Sequence, residues 1–181
     1  MIDRLWLLRK SNEDIDEYLE DDLLDDYSGL EILSKSLELN KDEIHSIESY
    51  EWNAQHYAEK IDNYLLLPTG LLNFNYPSLK KKSKKRERPI EILRSTYQSS
   101  VHLVAMPEGY NLFEEYKSVE IESDFGLYSK KVETVGEDEL KIIRKLTIYK
   151  GVYENTRFKA FRSFFNKISK YETEQITISH E

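Results

Sequence analysis

The first periodic pattern of apolar residues begins just after Ser11. Ser11 and Asp14 have the spacing of a capping box, in which each side chain accepts a hydrogen bond from the other residue's backbone N–H. Apolar residues then recur at helical spacing, at Ile15, Tyr18, Leu19, Leu23 and Tyr27. Gly29 is a suitable stop, because glycine readily adopts the left-handed conformation that ends many helices. The pattern predicts an amphipathic helix within residues 1–29 whose other face is strongly acidic.

From Leu30 onward the apolar period changes to two, which is typical of strands. Three runs alternate in this way: LEILSKSLEL, HSIESYEWNAQHYA and IDNYLLL. The run that starts with LEIL shifts phase, so we expect a β-bulge there.

The middle of the chain predicts five strands, of which the last three form an antiparallel meander. PIEIL and TYQSSVHLVAM come first. In the second of these runs, four apolar residues share one face: Tyr97, Val101, Leu103 and Ala105. KSVEIES, FGLYSKKVET and ELKIIRKLTIY follow, with turns at residues 123–124 and 135–137. Short turns of this kind join antiparallel neighbours.

The stretch RFKAFRSFFNKISKY returns to a helical period. Its apolar side chains fall on one face: Phe158, Phe161, Phe164, Phe165, Ile168 and Tyr171. Its basic side chains fall on the other: Arg157, Lys159, Arg162, Lys167 and Lys170. We expect the phenylalanine face to be buried. The last run, EQITIS, alternates like a short strand that returns to a sheet edge.

Together these elements predict an α+β fold that is mainly β. We expect an antiparallel β-sandwich, flanked by the acidic N-terminal helix and closed by the phenylalanine-rich amphipathic helix packed on it. We expect residues 1–29 to form the helical segment and residues 30–181 the sandwich, as one compact unit with a loop at 76–88. A chain of 181 residues is long enough for one such core.

Composition excludes several classes of chemistry. The chain has no cysteine, and therefore no disulfide, thiolate metal site or cysteine nucleophile. Its four histidines have no ligand spacing, and no phosphate loop, dinucleotide fingerprint or nucleophile elbow is present. We expect neither an enzyme nor a bound metal or cofactor. No signal peptide or membrane-spanning stretch is encoded in these residues.

Two stretches are candidates for ligand binding. A basic run contrasts with the formal net charge of −8, and its polyanion-binding candidates are Lys80, Lys81, Lys82, Lys84, Lys85 and Arg86. A solvated loop is the simpler interpretation, and nucleic acid is not expected, because aromatic residues for base stacking are absent from the run. Tyr50 and Trp52 alternate onto one strand face and form a candidate aromatic platform for a glycan or peptide, although core packing also explains them.

The second half of the chain resembles a known family. MPEGY, SDFGLYS, RKLTIYKGVY and FKAFRSFFNKISKYETEQITI occur in the order and spacing of a C-terminal domain of unknown function (type DUF3858). That domain occurs in bacterial transglutaminase-like proteins. Upstream, YLLLPTGLL and ERPIEI resemble the strand before the basic loop and the exit from it. The resemblance runs from about Asn12 to Ile178, with a longer and more basic loop than the family has.

The resemblance implies a non-catalytic accessory domain. In such proteins a Cys–His–Asp arrangement in the core carries the chemistry, and no catalytic residue transfers to this cysteine-free chain. The implied partner is a transglutaminase-like core in the same or another chain, and the implied location is the bacterial periplasm or cell envelope. Strand edges left open without that core suggest a homodimer. The alternative is a stand-alone β-sandwich module that binds a glycan, peptide or polyanion.

Overall fold

The computed structural model describes residues 10–11, 13–15, 17–18, 21, 29–40, 45–69, 73–77 and 86–180. These residues form mainly antiparallel β-structure, as predicted. The strands are β1 (Leu30–Asn40), β2 (His45–Ala54), β3 (Glu59–Ile61), β4 (Tyr64–Pro68), β5 (Ile90–Ile92), β6 (Thr96–Ala105), β7 (Tyr110–Leu112), β8 (Val119–Ser123), β9 (Gly126–Val135), β10 (Glu139–Ile148), β11 (Gly151–Tyr153) and β12 (Gln175–His180). A 3₁₀ turn, Asn155–Arg157, leads into the C-terminal helix, Phe158–Glu172.

The chain divides into two compact units, of which Met1–Tyr57 is the first. The predicted capping box is confirmed, because Ser11 N donates to Asp14 Oδ2 at 3.2 Å and Asp14 N donates to Ser11 Oγ at 3.1 Å. Strands β1 and β2 pair as a hairpin, and the register shifts between Ile32 and Ser34, where the sequence predicts a bulge. Most of the predicted acidic helix lies outside the described residues. The division predicted after residue 29 stays a prediction.

The described part of the second unit, Ala58–Glu181, contains two four-stranded sheets and one two-stranded sheet. One four-stranded sheet has the order β6-β10-β9-β8, and all its neighbours are antiparallel. Strands β8, β9 and β10 follow one another through short turns, which confirms the predicted meander. A second four-stranded sheet has the order β3-β4-β12-β7, and β11 pairs with β5.

The C-terminal helix supplies much of the core of this unit. Its buried residues are Phe158, Phe161, Phe164, Phe165 and Ile168, as the apolar period predicts. They cluster with residues of the meander and of β5, namely Ile90, Phe125, Tyr128, Leu146 and Ile148. The ring of Phe161 meets those of Phe125 and Phe165 edge-on, at centroid distances of 5.1 and 4.9 Å. Edge-to-face contacts of this kind add to the free energy gained from burial.

The sequence pattern was wrong about two strand limits and about the position of one strand in its sheet. IDNYLLL is two strands rather than one, because Asp62 adopts a positive φ of 53° and Ile61 pairs with Tyr64 across a two-residue turn. Strand β2 ends at Ala54, and His56 lies in a turn with φ of 64°. EQITIS does form β12, but this strand lies between β4 and β7 rather than at a sheet edge.

Candidate functional site

Strand β6 presents apolar side chains to solvent. Tyr97, Val101 and Leu103 are 63%, 57% and 59% exposed, and they lie on the face of the sheet opposite the C-terminal helix. The sequence correctly places these residues on one face. That face is the outer one, whereas Thr96, Gln98, Ser100, His102 and Val104 point inward. We call Tyr97, Val101 and Leu103 the β6 row.

A second apolar patch lies on the other four-stranded sheet, which has the order β3-β4-β12-β7 and the shorter strands. Tyr64 and Phe113 meet edge-on with ring centroids 5.0 Å apart, and both remain substantially exposed. Ile61, which pairs with Tyr64, is 46% exposed. We call Ile61, Tyr64 and Phe113 the small-sheet patch. Exposed apolar side chains that cluster in this way mark contact surfaces more often than scattered ones do.

The inner face of the meander carries two charged residues in one row. Lys130 on β9 lies directly opposite Arg144 on β10, and each residue is only 1% exposed. Both side chains reach the last turn of the C-terminal helix, where backbone carbonyls lack partners within the helix. Cations are favourable there, since the helix dipole places partial negative charge at that end.

Arg144 is bound on every side by protein groups. Its Nη1 donates to Glu172 Oε2 at 2.7 Å, and its Nε donates to Ser100 Oγ at 3.0 Å. Its Nη2 lies 3.2 Å from His102 Nε2, which must accept because a guanidinium only donates. The guanidinium also lies over the ring of Phe74, 4.8 Å from its centroid.

Lys130 completes the cluster on its other side. Its Nζ donates to Thr69 Oγ1 at 3.0 Å and to the carbonyl oxygen of Tyr171 at 2.5 Å. Tyr128, two residues before Lys130 on the same face of β9, donates its hydroxyl to Glu172 Oε1 at 2.6 Å. The carboxylate of Glu172 is therefore shared between a cation and a phenol. We call Thr69, Tyr128, Lys130, Arg144 and Glu172 the buried ionic cluster.

Burial shifts the pKa values of this cluster and of its neighbour His102. Burial and the nearby charge of Arg144 lower the pKa of His102 to about 4. Burial also lowers the pKa of Lys130 to about 8, although the carboxylates of Glu174 and Glu172 act in the opposite direction. Burial and the hydrogen bond to Glu172 raise the pKa of Tyr128 well above its ordinary value. Because protein groups bind these charges at close range, the cluster has the chemistry of a structural anchor for the helix end.

The residues of the predicted polyanion site are only partly described. Lys80, Lys81, Lys82, Lys84 and Lys85 lie outside the described residues. Arg86 is described, and it donates through Nε to the carbonyl of Arg88 at 2.9 Å and through Nη2 to that of Pro89 at 3.0 Å. Its guanidinium lies 6.0 Å from the ring centroid of Phe158. Arg86 thus holds the end of the basic run near the start of the C-terminal helix.

The exposed side of that helix is also basic. A shallow groove of about 350 Å³ runs along it, lined by Lys159, Arg162, Ser163, Asn166, Lys167 and Lys170. The basic face predicted from the helical period is therefore exposed where the phenylalanine face is buried.

The predicted aromatic platform lies on β2. Tyr50 and Trp52 are half-buried, and Trp52 lies opposite Ile32 of β1. The ring of Tyr57 meets Trp52 edge-on at a centroid distance of 4.9 Å. Binding of a glycan or peptide by these rings stays a prediction.

The described residues contain no group of three or more metal-ligating side chains. None of their helices is long and apolar enough to cross a membrane.

A known protein family matches most of the second unit in sequence. The family "Domain of Unknown Function with solved-structure structure" (DUF3858) matches residues 62–178. The chain belongs to the DUF3858 family. The matched range contains the whole buried ionic cluster and the β6 row, so these features belong to the DUF3858 domain itself.

One solved structure has a similar fold. It is a crystal structure of a candidate protease from Parabacteroides distasonis, with 15% sequence identity and a TM-score of 0.50. The match covers 65% of this chain and 24% of that chain, so the DUF3858 chain spans about a quarter of that protein's length. No curated protein matches the chain in sequence.

Sequence reasoning missed the buried ionic cluster, although the DUF3858 domain carries a signal for it. On β9 and β10, Lys130 and Arg144 occupy the same alternate positions as Tyr128, Ile142 and Leu146, which are buried. A cation at an apolar position of a strand indicates a buried, paired charge, since lone buried charges are strongly disfavoured.

Proposed function

We propose that the DUF3858 domain is a non-catalytic accessory module. It packs on, or presents ligands to, a transglutaminase-like core in the same longer polypeptide or in another chain. The observation that carries this proposal is the family match over residues 62–178. A cysteine nucleophile would belong to the core, because this chain has no cysteine. The family resemblance also suggests a location in the bacterial periplasm or cell envelope.

The length of the structural neighbour supports an accessory role. The shared fold accounts for 24% of the candidate protease, so a similar fold occurs there beside much additional chain. A domain inside a longer protein commonly buries part of its surface against its neighbours.

The small-sheet patch is the surface that we assign to contact with the core. Its members Ile61 and Tyr64 lie on β3 and β4, the first strands of the second unit, so the patch is near the point where the chain enters the domain. Phe113 is 50% exposed beside Tyr64. A protein partner that covered these side chains would gain the free energy of apolar burial.

The test needs a core as the binding probe. The core encoded by the natural gene, recognised by a cysteine, a later histidine and an aspartate, is expressed apart from this chain, and binding is measured by calorimetry. We expect association, and we expect Phe113→Lys to raise the dissociation constant about tenfold or more. Val152→Lys is the control, because Val152 is 74% exposed and lies on β11. No association, either between separate chains or in a linked protein, would overturn the proposal.

The basic groove favours a second candidate function, a stand-alone module that binds a polyanion. The groove and Arg86 both place positive charge along the C-terminal helix in a chain of net charge −8. Binding of heparin should weaken steeply with salt, since screening acts on exposed charges. Lys167→Glu with Lys170→Glu should abolish it. A neutral oligosaccharide bound through Trp52 should respond little to salt, so salt dependence separates the two ligand classes.

A further inference from the structure

Strand β6 is a long sheet edge without charged residues. It pairs with β10 over ten residues without a register shift. On its other side, no strand of the described chain pairs with it. Its sequence, TYQSSVHLVA, contains no lysine, arginine, aspartate, glutamate or proline. The imidazole of His102 points inward, towards Arg144.

The other edges of the two four-stranded sheets are protected. Strand β8 has only five residues, and Glu120 and Glu122 of this strand are exposed. Strands β3 and β7 have three residues each. Short length and charge are two common ways in which proteins prevent edge-to-edge pairing. Strand β6 is long and carries no charge, so it lacks both of these protections against edge-to-edge pairing.

The outer face of β6 is also mostly apolar, with Ser99 as its one polar residue. Val101 lies opposite Ile143 of β10 in the register, so the apolar surface continues from the edge strand into the sheet. Pairing of another strand with β6 would place a new set of side chains beside the β6 row. It would also satisfy the backbone N–H and C=O groups on the open side.

We propose that β6 is the pairing edge of a homodimer. Two copies of the chain would align their β6 strands antiparallel about a two-fold axis, joining two four-stranded sheets into one of eight strands. A second copy fits because it presents the same uncharged strand, so no like charges meet at the edge. Centring the pairing on Val101 keeps both β6 rows on one side of the joined sheet and places the two Val101 side chains opposite each other across the axis, since directly opposite side chains of an antiparallel pair lie on the same face.

This contact would have a number of hydrogen bonds typical of a protein interface. Nine paired residues in each strand would make about nine backbone hydrogen bonds, which is close to the roughly ten of a typical protein interface. The β6 rows would meet across the axis, and aromatic and β-branched side chains pair favourably between neighbouring strands.

Sedimentation equilibrium and light scattering of the whole chain test the proposal. We expect a concentration-dependent dimer that Val101→Lys weakens about tenfold or more. Val152→Lys makes the same change at an exposed valine on β11 and should leave the dimer intact. Circular dichroism and thermal unfolding should show both variants folded. A monomer at all concentrations would overturn the proposal, as would a dimer that Val101→Lys leaves unchanged.

A crosslinking experiment reports on the edge directly. Since the chain has no cysteine, Val101→Cys introduces a single thiol. Oxidation should link two copies through Cβ atoms that lie close together across the axis, whereas Val152→Cys should stay largely unlinked. Equal linking of the two variants, or none, would count against pairing at β6. Capture of the transglutaminase-like core through Val101, with no dimer, would assign the edge to the core instead.

Discussion

Arg144 donates from Nη1 to Oε2 of Glu172 across 2.7 Å, and the two side chains are only 2% and 4% exposed. The pair joins the centre of the meander to the last residue of the C-terminal helix. Lys130, beside Arg144 in the next strand, binds the carbonyl of Tyr171 in the same helical turn. Two cations from neighbouring strands thus hold one helix end, and this defines how the helix lies on the sheet.

Removing the charge of Glu172 should destabilise the domain strongly. Glu172→Gln leaves the buried guanidinium of Arg144 without its counter-charge, which typically costs about 3–5 kcal/mol of unfolding free energy. Arg144→Met combined with Glu172→Leu should recover part of this loss, because it removes both charges together. Urea unfolding of Arg144→Met, Glu172→Leu and the double variant measures the coupling between the two residues.

The control for this prediction is an exposed ion pair. Lys131 and Glu133 also form a salt bridge, but their side chains are 55% and 36% exposed. Glu133→Gln should therefore change stability little. If Glu172→Gln behaved like Glu133→Gln, the buried pair would not anchor the helix.

His102 should make the domain less stable in mild acid. Its pKa falls from 6.5 to about 4 on folding, so between these pH values the unfolded chain binds more protons than the folded chain. Stability should therefore fall as the pH falls from 6.5 towards 4, by up to about 1.4 kcal/mol per pH unit. His102→Gln, whose amide oxygen still accepts from Arg144, should remove this component.

The measurement is the difference in unfolding free energy between native chain and variant across that pH range. Subtracting one pH profile from the other removes the contribution of the carboxylates that both proteins share. His45→Gln, at an exposed position of β2, is the matched control. A pH profile that His102→Gln leaves unchanged would show that the imidazole is not held neutral in the fold.

Lys130 should make the stability of the domain depend on pH in the alkaline range. Its pKa falls from 10.5 to about 8 on folding, so the unfolded chain binds more protons between these values. The contribution of Lys130 to stability should rise as the pH increases from 8 towards 10, where the buried ammonium can lose its charge. Lys130→Met should remove that rise. Urea unfolding at pH 7, 8 and 9 compares the two proteins, and equal pH slopes would contradict the prediction.

Local patterns were sufficient to predict most elements of this fold. Ser11 and Asp14 identify a helix start by their spacing alone, and the phase shift at LEIL marks the bulge between Ile32 and Ser34. The phenylalanine face of the C-terminal helix also follows from period alone. These features depend only on residues that are close in sequence, so the sequence alone is sufficient to predict them.

Features that depend on contacts between residues far apart in sequence could be identified only from the structure. The alternation of TYQSSVHLVA shows that Tyr97 and Val101 share a face, but whether that face is buried depends on where the helix packs. Likewise, the partnership of Arg144 with Glu172 joins residues 28 apart. EQITIS reads as an edge strand, and only the pairing of β12 with both β4 and β7 places it inside its sheet.

Phe161→Asp should prevent the second unit from folding. Phe161 is 5% exposed and contacts the rings of Phe125 and Phe165, so an aspartate would leave a cavity and bury an unpaired carboxylate. Truncation to alanine alone typically costs about 3–5 kcal/mol, a large share of a domain's stability. Asn166→Asp introduces the same carboxylate on the exposed face of the same helix and should leave a cooperative thermal transition. Circular dichroism on heating compares the two variants, and an unchanged transition in Phe161→Asp would show that the phenylalanine face does not hold the helix on the sheet.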